Sequence, residues 1–258
     1  MDKIKIAFFD IDGTLIDLDT KKISEKMLET LARLQRKGII LCLATGRAPM
    51  ALPHFKEVKF DAFLTFNGSY CFDSEKMIFS NPIPAEDVRR LIRNAAEIGR
   101  PVSIATKDRL AANGADQNLI DYFGHAKLEV EVADDFDMLL QEDIYQVMMG
   151  CYESEYAHMM KNIRYARITA WWDRAVDIIP ANGGKGKAIE KILEHYRFDK
   201  SEAIAFGDGN NDIEMLQSVG TGVAMANSTE KLKSVADDVC RHVAEDGIYY
   251  YCLEHGLI

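Results

Sequence analysis

Residues 4–14 read Ile4-Lys5-Ile6-Ala7-Phe8-Phe9-Asp10-Ile11-Asp12-Gly13-Thr14, a short run rich in isoleucine and phenylalanine that ends on a polar turn. A brief apolar run closed by turn residues predicts a buried strand. Ser24 then stands as an N-cap before a helical pattern of Met27, Leu28, Leu31 and Leu34, and Gly38 supplies the stop. Ile39 to Ala44 is a second continuous apolar run, followed by Thr45-Gly46-Arg47. Ala62 to Phe66 is a third, followed by Asn67-Gly68. Strands of this kind separated by helices predict a parallel sheet with right-handed crossovers.

The same grammar returns near the C-terminus. Lys185 to His195 predicts a helix and Ala203 to Phe206 a buried strand. Gly207-Asp208-Gly209-Asn210-Asn211-Asp212 forms the turn after it, Gly222 to Met225 a further strand, and Thr229 to Val235 a helix. Gly247 with Tyr249, Tyr250 and Tyr251 reads as a final helix packing on the core. Between these halves the strand candidates Val102–Ala105, Ile144–Gly150, Arg167–Ala170 and Ala175–Ile179 sit among looser helical patterns. Pro82-Ile83-Pro84 and Ala181-Asn182-Gly183-Gly184 have the residues of two hinges. The expected fold is α/β: a Rossmann-like parallel-sheet core domain made of residues 1–82 and 183–258, with an α/β module inserted over 83–182.

Composition narrows the function classes. Forty-one acidic against 31 basic residues give a net charge of -10, which argues against nucleic acid or an anionic membrane as a partner. An anionic substrate would therefore require a locally positive site. The apolar runs fall far short of the roughly 20 residues that a membrane-spanning helix needs, and the N-terminal residues do not read as a signal peptide. Five scattered cysteines without a CxxC pair suit reduced, buried thiols in a cytoplasmic protein.

Four polar segments follow strand signals or open helices, and in an open parallel sheet the carboxyl ends of the strands line one ligand-binding edge. Asp10 and Asp12, two residues apart on a chain leaving a strand, can serve as nucleophile and proton carrier, with Gly13 allowing the tight turn. Thr45 and Gly46 offer a hydroxyl and a backbone N–H to a phosphate oxygen. Gly183-Gly184-Lys185-Gly186 places a cation at a helix start, and Asp208 with its neighbours can hold a hard cation through oxygen. Singly, each has a plain reading as a solvated turn, a cap or a surface lysine. Their joint occurrence in this order is far more specific.

These DIDGT, ATGR, GGKG and GDGNND segments resemble the four motifs of the haloacid dehalogenase-like superfamily. Asn67-Gly68, the run Gly222 to Ser228 and Glu245-Asp246-Gly247-Ile248 are similar to its Cof-type sugar-phosphatase subfamily, although Ala226 stands where many relatives have glycine. The resemblance spans nearly the whole chain. It implies a Mg2+-dependent phosphatase acting on small phosphorylated metabolites such as sugar phosphates, flavin mononucleotide or pyridoxal phosphate. It implies that Asp10 forms an aspartyl-phosphate and that Asp12 is the acid and base. Mg2+ would be held by Asp10, the backbone carbonyl of Asp12, and Asp208. Thr45, Gly46, Arg47, Lys185 and Asn211 would bind phosphate, with Asp212 behind them orienting Lys185 or a metal-bound water. The inserted module would be a cap that selects the substrate.

Other residues have simpler readings. Trp171-Trp172-Asp173 suits packing or surface as well as substrate contact, and Asp177 faces the site or is a strand-edge charge. Arg47 could equally pair with a nearby acid. Asp17 and Asp19 are expected in a solvated loop, and the six histidines lack metal-ligand spacing. Met148-Met149 and Met159-Met160 suit core filling. A phosphomutase is the nearest rival, distinguished by a bisphosphate requirement and isomerised product. A phospho-accepting signalling module is a second, distinguished by a long-lived phosphoprotein with negligible turnover.

Overall fold

The computed structural model describes residues 4–55, 58–125, 128–170 and 172–258, so Trp171 lies outside the described residues. The chain divides into two compact units, one of Met1–Gly46, Pro53–Ser80 and Lys185–Ile258, the other of Arg47–Leu52 and Asn81–Gly184. In chain order the strands are β1 (Ile6–Phe9), β2 (Ile40–Ala44), β3 (Ala62–Thr65), β4 (Tyr70–Asp73) and β5 (Met77–Ser80). There follow β6 (Ser103–Ala105), β7 (Leu110–Ala112), β8 (Gln146–Gly150), β9 (Ala166–Thr169) and β10 (Ala175–Pro180). The last three are β11 (Ala203–Gly207), β12 (Thr221–Met225) and β13 (Asp238–Cys240).

The first unit is an eight-stranded sheet ordered β13-β12-β11-β1-β2-β3-β4-β5. From β13 to β3 all pairings are parallel. All four residues of β1 are buried, as expected of a strand covered on both faces. Phe9 stacks on Phe206 of β11 with centroids 5.4 Å apart. The chain runs outward from β1 through β2 and β3, then resumes on the other side through β11, β12 and β13, so the strand order reverses between β1 and β11. A crevice at the carboxyl ends of two such strands is where open α/β sheets bind ligands.

Local signals account for the flanking elements. Ser24 caps the helix Glu25–Arg36 by accepting the Met27 N–H, and Met27, Leu28, Leu31 and Leu34 form its buried stripe. The expected helix after Thr229 is shorter than its pattern, spanning Glu230–Lys233.

The edge of the sheet departs from the all-parallel expectation. β4 and β5 form an antiparallel hairpin on β3. Its strands are short and only partly covered, with apolar runs of three residues each at 70–72 and 77–79. Its turn is closed by Asp73, which accepts the N–H groups of Glu75 and Lys76. β13 carries no strand signal for a similar reason, since two of its three residues are exposed.

The second unit carries an antiparallel sheet ordered β7-β6-β8-β10-β9. One face buries Ile104, Val147, Met149, Val176 and Ile178 with Val88, Leu91 and Ala95 of the helix Ala85–Glu97. Met148, Met149 and Met159 are buried, matching the core-filling reading. Asp177 is no strand-edge charge: it is buried and accepts a hydrogen bond from the Tyr122 hydroxyl. Trp172 packs against the edge of His125, and the Arg174 guanidinium lies 4.4 Å over its ring.

Candidate active site

Asp10 leaves β1 flanked on both sides by parallel strands, and its N–H donates to the Phe206 carbonyl of β11 at 3.0 Å. Asp208 follows β11 directly. The two turns can meet because Gly13, at φ +89°, has no side chain: a β-carbon there would stand 2.2 Å from Asp208 Oδ2. Thr14, also buried, donates its hydroxyl to Asp208 Oδ1 at 2.8 Å.

Lys185 opens the helix Lys185–Tyr196 and is fully buried. Its Nζ donates to Asp10 Oδ1 and to Asp212 Oδ1, both at 2.6 Å. The second oxygen of Asp212 accepts the N–H groups of Asp208 and Gly209 at 3.0 and 2.9 Å. Asp212 therefore folds its own turn and anchors the lysine at once.

Carboxylate oxygens of Asp10, Asp208 and Asp212 lie within 4.8 Å of one another. Burial raises the Asp10 carboxyl well above its ordinary range. Lys185 opposes that rise, while Asp212, Asp208 and Asp12 add to it. Burial, then Asp212, pushes Asp208 up to about 7, against the Thr14 hydrogen bond. Burial lowers the Lys185 pKa, but Asp10 and Asp212 outweigh it and hold the ammonium charged. Three carboxylates facing one ammonium leave the site short of positive charge. An all-oxygen donor set with excess negative charge fits a hard divalent cation.

The other residues singled out by sequence fall as follows. Asp12 is half-buried beside this cluster, and its charge raises both Asp10 and Asp208. Its carboxylate is outside the three-carboxylate group. Thr45 is buried at the end of β2, its N–H donating to Leu64 and its carbonyl accepting the Asn67 N–H. Gly46 lies against the Asn67 amide, and Asn211 Nδ2 donates to Asn67 Oδ1 at 3.2 Å. Arg47 groups with the second unit, where its guanidinium donates to the Ala51 carbonyl at 3.2 Å.

Residues 7–252 match the family model of the haloacid dehalogenase-like hydrolases. The chain is 36% identical over 256 residues to YkrA of Bacillus subtilis (strain 168), named as a candidate phosphatase, with 98% of each chain covered. It superposes on BT1666 from Bacteroides thetaiotaomicron, a phosphatase of the same superfamily, with a TM-score of 0.92 and 30% identity, covering 100% of this chain and 97% of that one. It also matches BT4131, a sugar phosphatase of subclass IIB, with a TM-score of 0.87 and 28% identity over 98% of this chain and 100% of that one.

The chain belongs to the haloacid dehalogenase-like hydrolases.

Within that superfamily it is a Cof-type phosphatase, a phosphoric monoester hydrolase. For a haloacid dehalogenase-like enzyme, three structural partners escaped the sequence reading. Sequence alone gives Thr14 no role within its turn, and it marks Asn67 only through the family resemblance. Asn227 donates Nδ2 to the Gly13 carbonyl at 2.8 Å and accepts the Val243 N–H at 3.0 Å, bracing the Asp10–Gly13 turn. The signal available for all three was a hydroxyl or amide within a few residues of a strand's end. Asp17, expected in a solvated loop, is buried and accepts the N–H groups of Asp19 and Thr20. No described helix is long and apolar enough to cross a membrane.

Proposed function

We propose that the chain is a Mg2+-dependent phosphatase that removes the phosphoryl group of small phosphorylated metabolites, sugar phosphates foremost, through an aspartyl-phosphate on Asp10. One observation carries this reading. A buried lysine is gripped by Asp10 and Asp212 at 2.6 Å each, beside Asp208, at the point where the strand order reverses. The sugar-phosphate class is supported by the likeness to BT4131.

Asp10 attacks phosphorus in line while the bond to the leaving oxygen breaks, and Asp12 gives that oxygen its proton. Asp12, now ionised, takes a proton from the water that opens the aspartyl-phosphate, releasing phosphate and restoring Asp10. Lys185 holds the Asp10 carboxylate in place. Thr45, Gly46, Lys185 and Asn211 donate to the phosphate oxygens as their charge redistributes, with Arg47 a further cation for the substrate. Asp212 keeps Lys185 oriented. Asp10, the Asp12 carbonyl and Asp208 would hold Mg2+, which would supply positive charge to offset an anionic nucleophile meeting an anionic phosphate. Residues 1–82 and 183–258 are assigned to catalysis and the inserted 83–182 to choice of leaving group. All five cysteines are buried free thiols, which supports a reducing, cytoplasmic setting.

Phosphate release from p-nitrophenyl phosphate with Mg2+ tests the chemistry, and a panel of sugar phosphates tests the substrate class. Asp10→Asn is expected to abolish release. Turnover at the wild-type rate in that variant would remove Asp10 as nucleophile, and isomerised product requiring a bisphosphate would make the enzyme a mutase.

A further inference from the structure

Directly after β3, Phe66 and Asn67 both occupy the left-handed region, at φ +51° and +53°, and Gly68 follows at +90°. Residues with a β-carbon enter this region at a cost, and for a bulky side chain such as phenylalanine it is an outlier. Such backbone persists only where its surroundings over-determine it, and it gathers at functional sites. Phe66 and Asn67 are both buried, and the contacts of Asn67 show what the unusual turn achieves.

The Asn67 N–H donates to the Thr45 carbonyl at 2.9 Å. Its Oδ1 accepts Asn211 Nδ2 at 3.2 Å. The same amide lies so close to Gly46 that a β-carbon added there would stand 3.1 Å from Asn67 Nδ2. One residue therefore holds the turn after β2 by its backbone and the turn after β11 by its side chain.

We infer that Asn67 is a positioning residue, which acts through Asn211 and the Thr45-Gly46 turn to set the spacing of the groups that receive the phosphate oxygens. This rests on the phosphatase reading above. Asn67 itself needs no contact with substrate. Its effect is transmitted by fixing two donor loops, one of which, at Asn211, lies 144 residues further along the sequence.

A double-mutant cycle tests it. Asn67→Gly keeps the left-handed backbone accessible and removes the amide. kcat/KM for p-nitrophenyl phosphate, and the Kd of inorganic phosphate by calorimetry, are measured in wild type, Asn67→Gly, Asn211→Ala and the double variant, with thermal unfolding as a fold check. In the wild-type background Asn67→Gly is expected to lower both kcat/KM and phosphate affinity roughly tenfold or more. In the Asn211→Ala background the same change is expected to cost less than about twofold, because the shared hydrogen bond is already gone. Equal losses in both backgrounds, or no loss in the first, overturn the positioning role. Asn67→Ser takes the place of Asn67→Gly in the same cycle if the glycine variant does not fold. A wild type that neither hydrolyses the ester nor binds phosphate overturns the phosphatase reading and this inference with it. An active wild type with independent variants overturns only the role of Asn67.

Discussion

Lys185 sits at 2.6 Å from two carboxylates with none of its side chain exposed, so its charge and theirs depend on one another. Removing one partner of a buried ion pair costs about 3–5 kcal/mol because the remaining charge is left without compensation. Lys185→Met is therefore expected to lower the thermal midpoint markedly, and to reduce phosphate release by roughly 10²–10³-fold through loss of a fixed donor. Differential scanning calorimetry and the p-nitrophenyl phosphate assay read the two effects separately. Asp208 makes the complementary prediction. If a divalent cation relieves the crowding of Asp10, Asp208 and Asp212, Mg2+ at about 100 times its Kd stabilises the folded chain by about 2.7 kcal/mol. The resulting rise in thermal midpoint is expected to shrink sharply in Asp208→Asn and to vanish with a chelator. An equal Mg2+ shift in that variant would place the ion elsewhere.

At the scale of elements, the β4–β5 hairpin and the helix Lys185–Tyr196 are joined by one carboxylate. Burial pushes Asp73 up, but the N–H groups of Lys76 and Glu75 and the neighbouring His195 outweigh it and hold the carboxyl below its ordinary range. His195 Nε2 lies 3.1 Å from Asp73 Oδ2. A carboxyl whose pKa is lower folded than unfolded contributes stability in full above the unfolded value, near 4. That contribution is lost as pH falls through the folded value. The stability gap between wild type and Asp73→Asn is thus expected to close below about pH 4. Urea unfolding at a series of pH values measures it, and a gap unchanged into the acid range would show that Asp73 carries no proton linkage. The hairpin also shows why edges are hard to read: its strands are short and partly exposed, and they hold through a side-chain turn and pairing to β3.

Across the whole molecule, each unit has its own buried core, and such units commonly unfold with some independence. Leu91 is fully buried in the second core, and Leu91→Ala is expected to cost about 2–5 kcal/mol. Calorimetry should show that loss in one transition while the Mg2+-dependent stabilisation of the other persists. A uniform shift of a single transition would show one cooperative unit. The chain's local chemistry was enough to place β1, β2, β3, β11 and β12, because each is an apolar run closed by turn residues, and to place Asp10, Thr45 and Asp208 at their ends. It was also enough to set the helix from Ser24 to Gly38, since capping and periodicity act over a few residues. Strand order was another matter. Thr14 meets Asp208 across 194 residues of sequence, and neither residue's neighbours encode that partner. The raised carboxyls of Asp10 and Asp208, the bracing by Asn227 and the left-handed Asn67 likewise come only from burial and long-range contact. Spacing along the chain sets which groups leave a strand together; the packed sheet alone sets which turns meet, and so which charges must share one buried space.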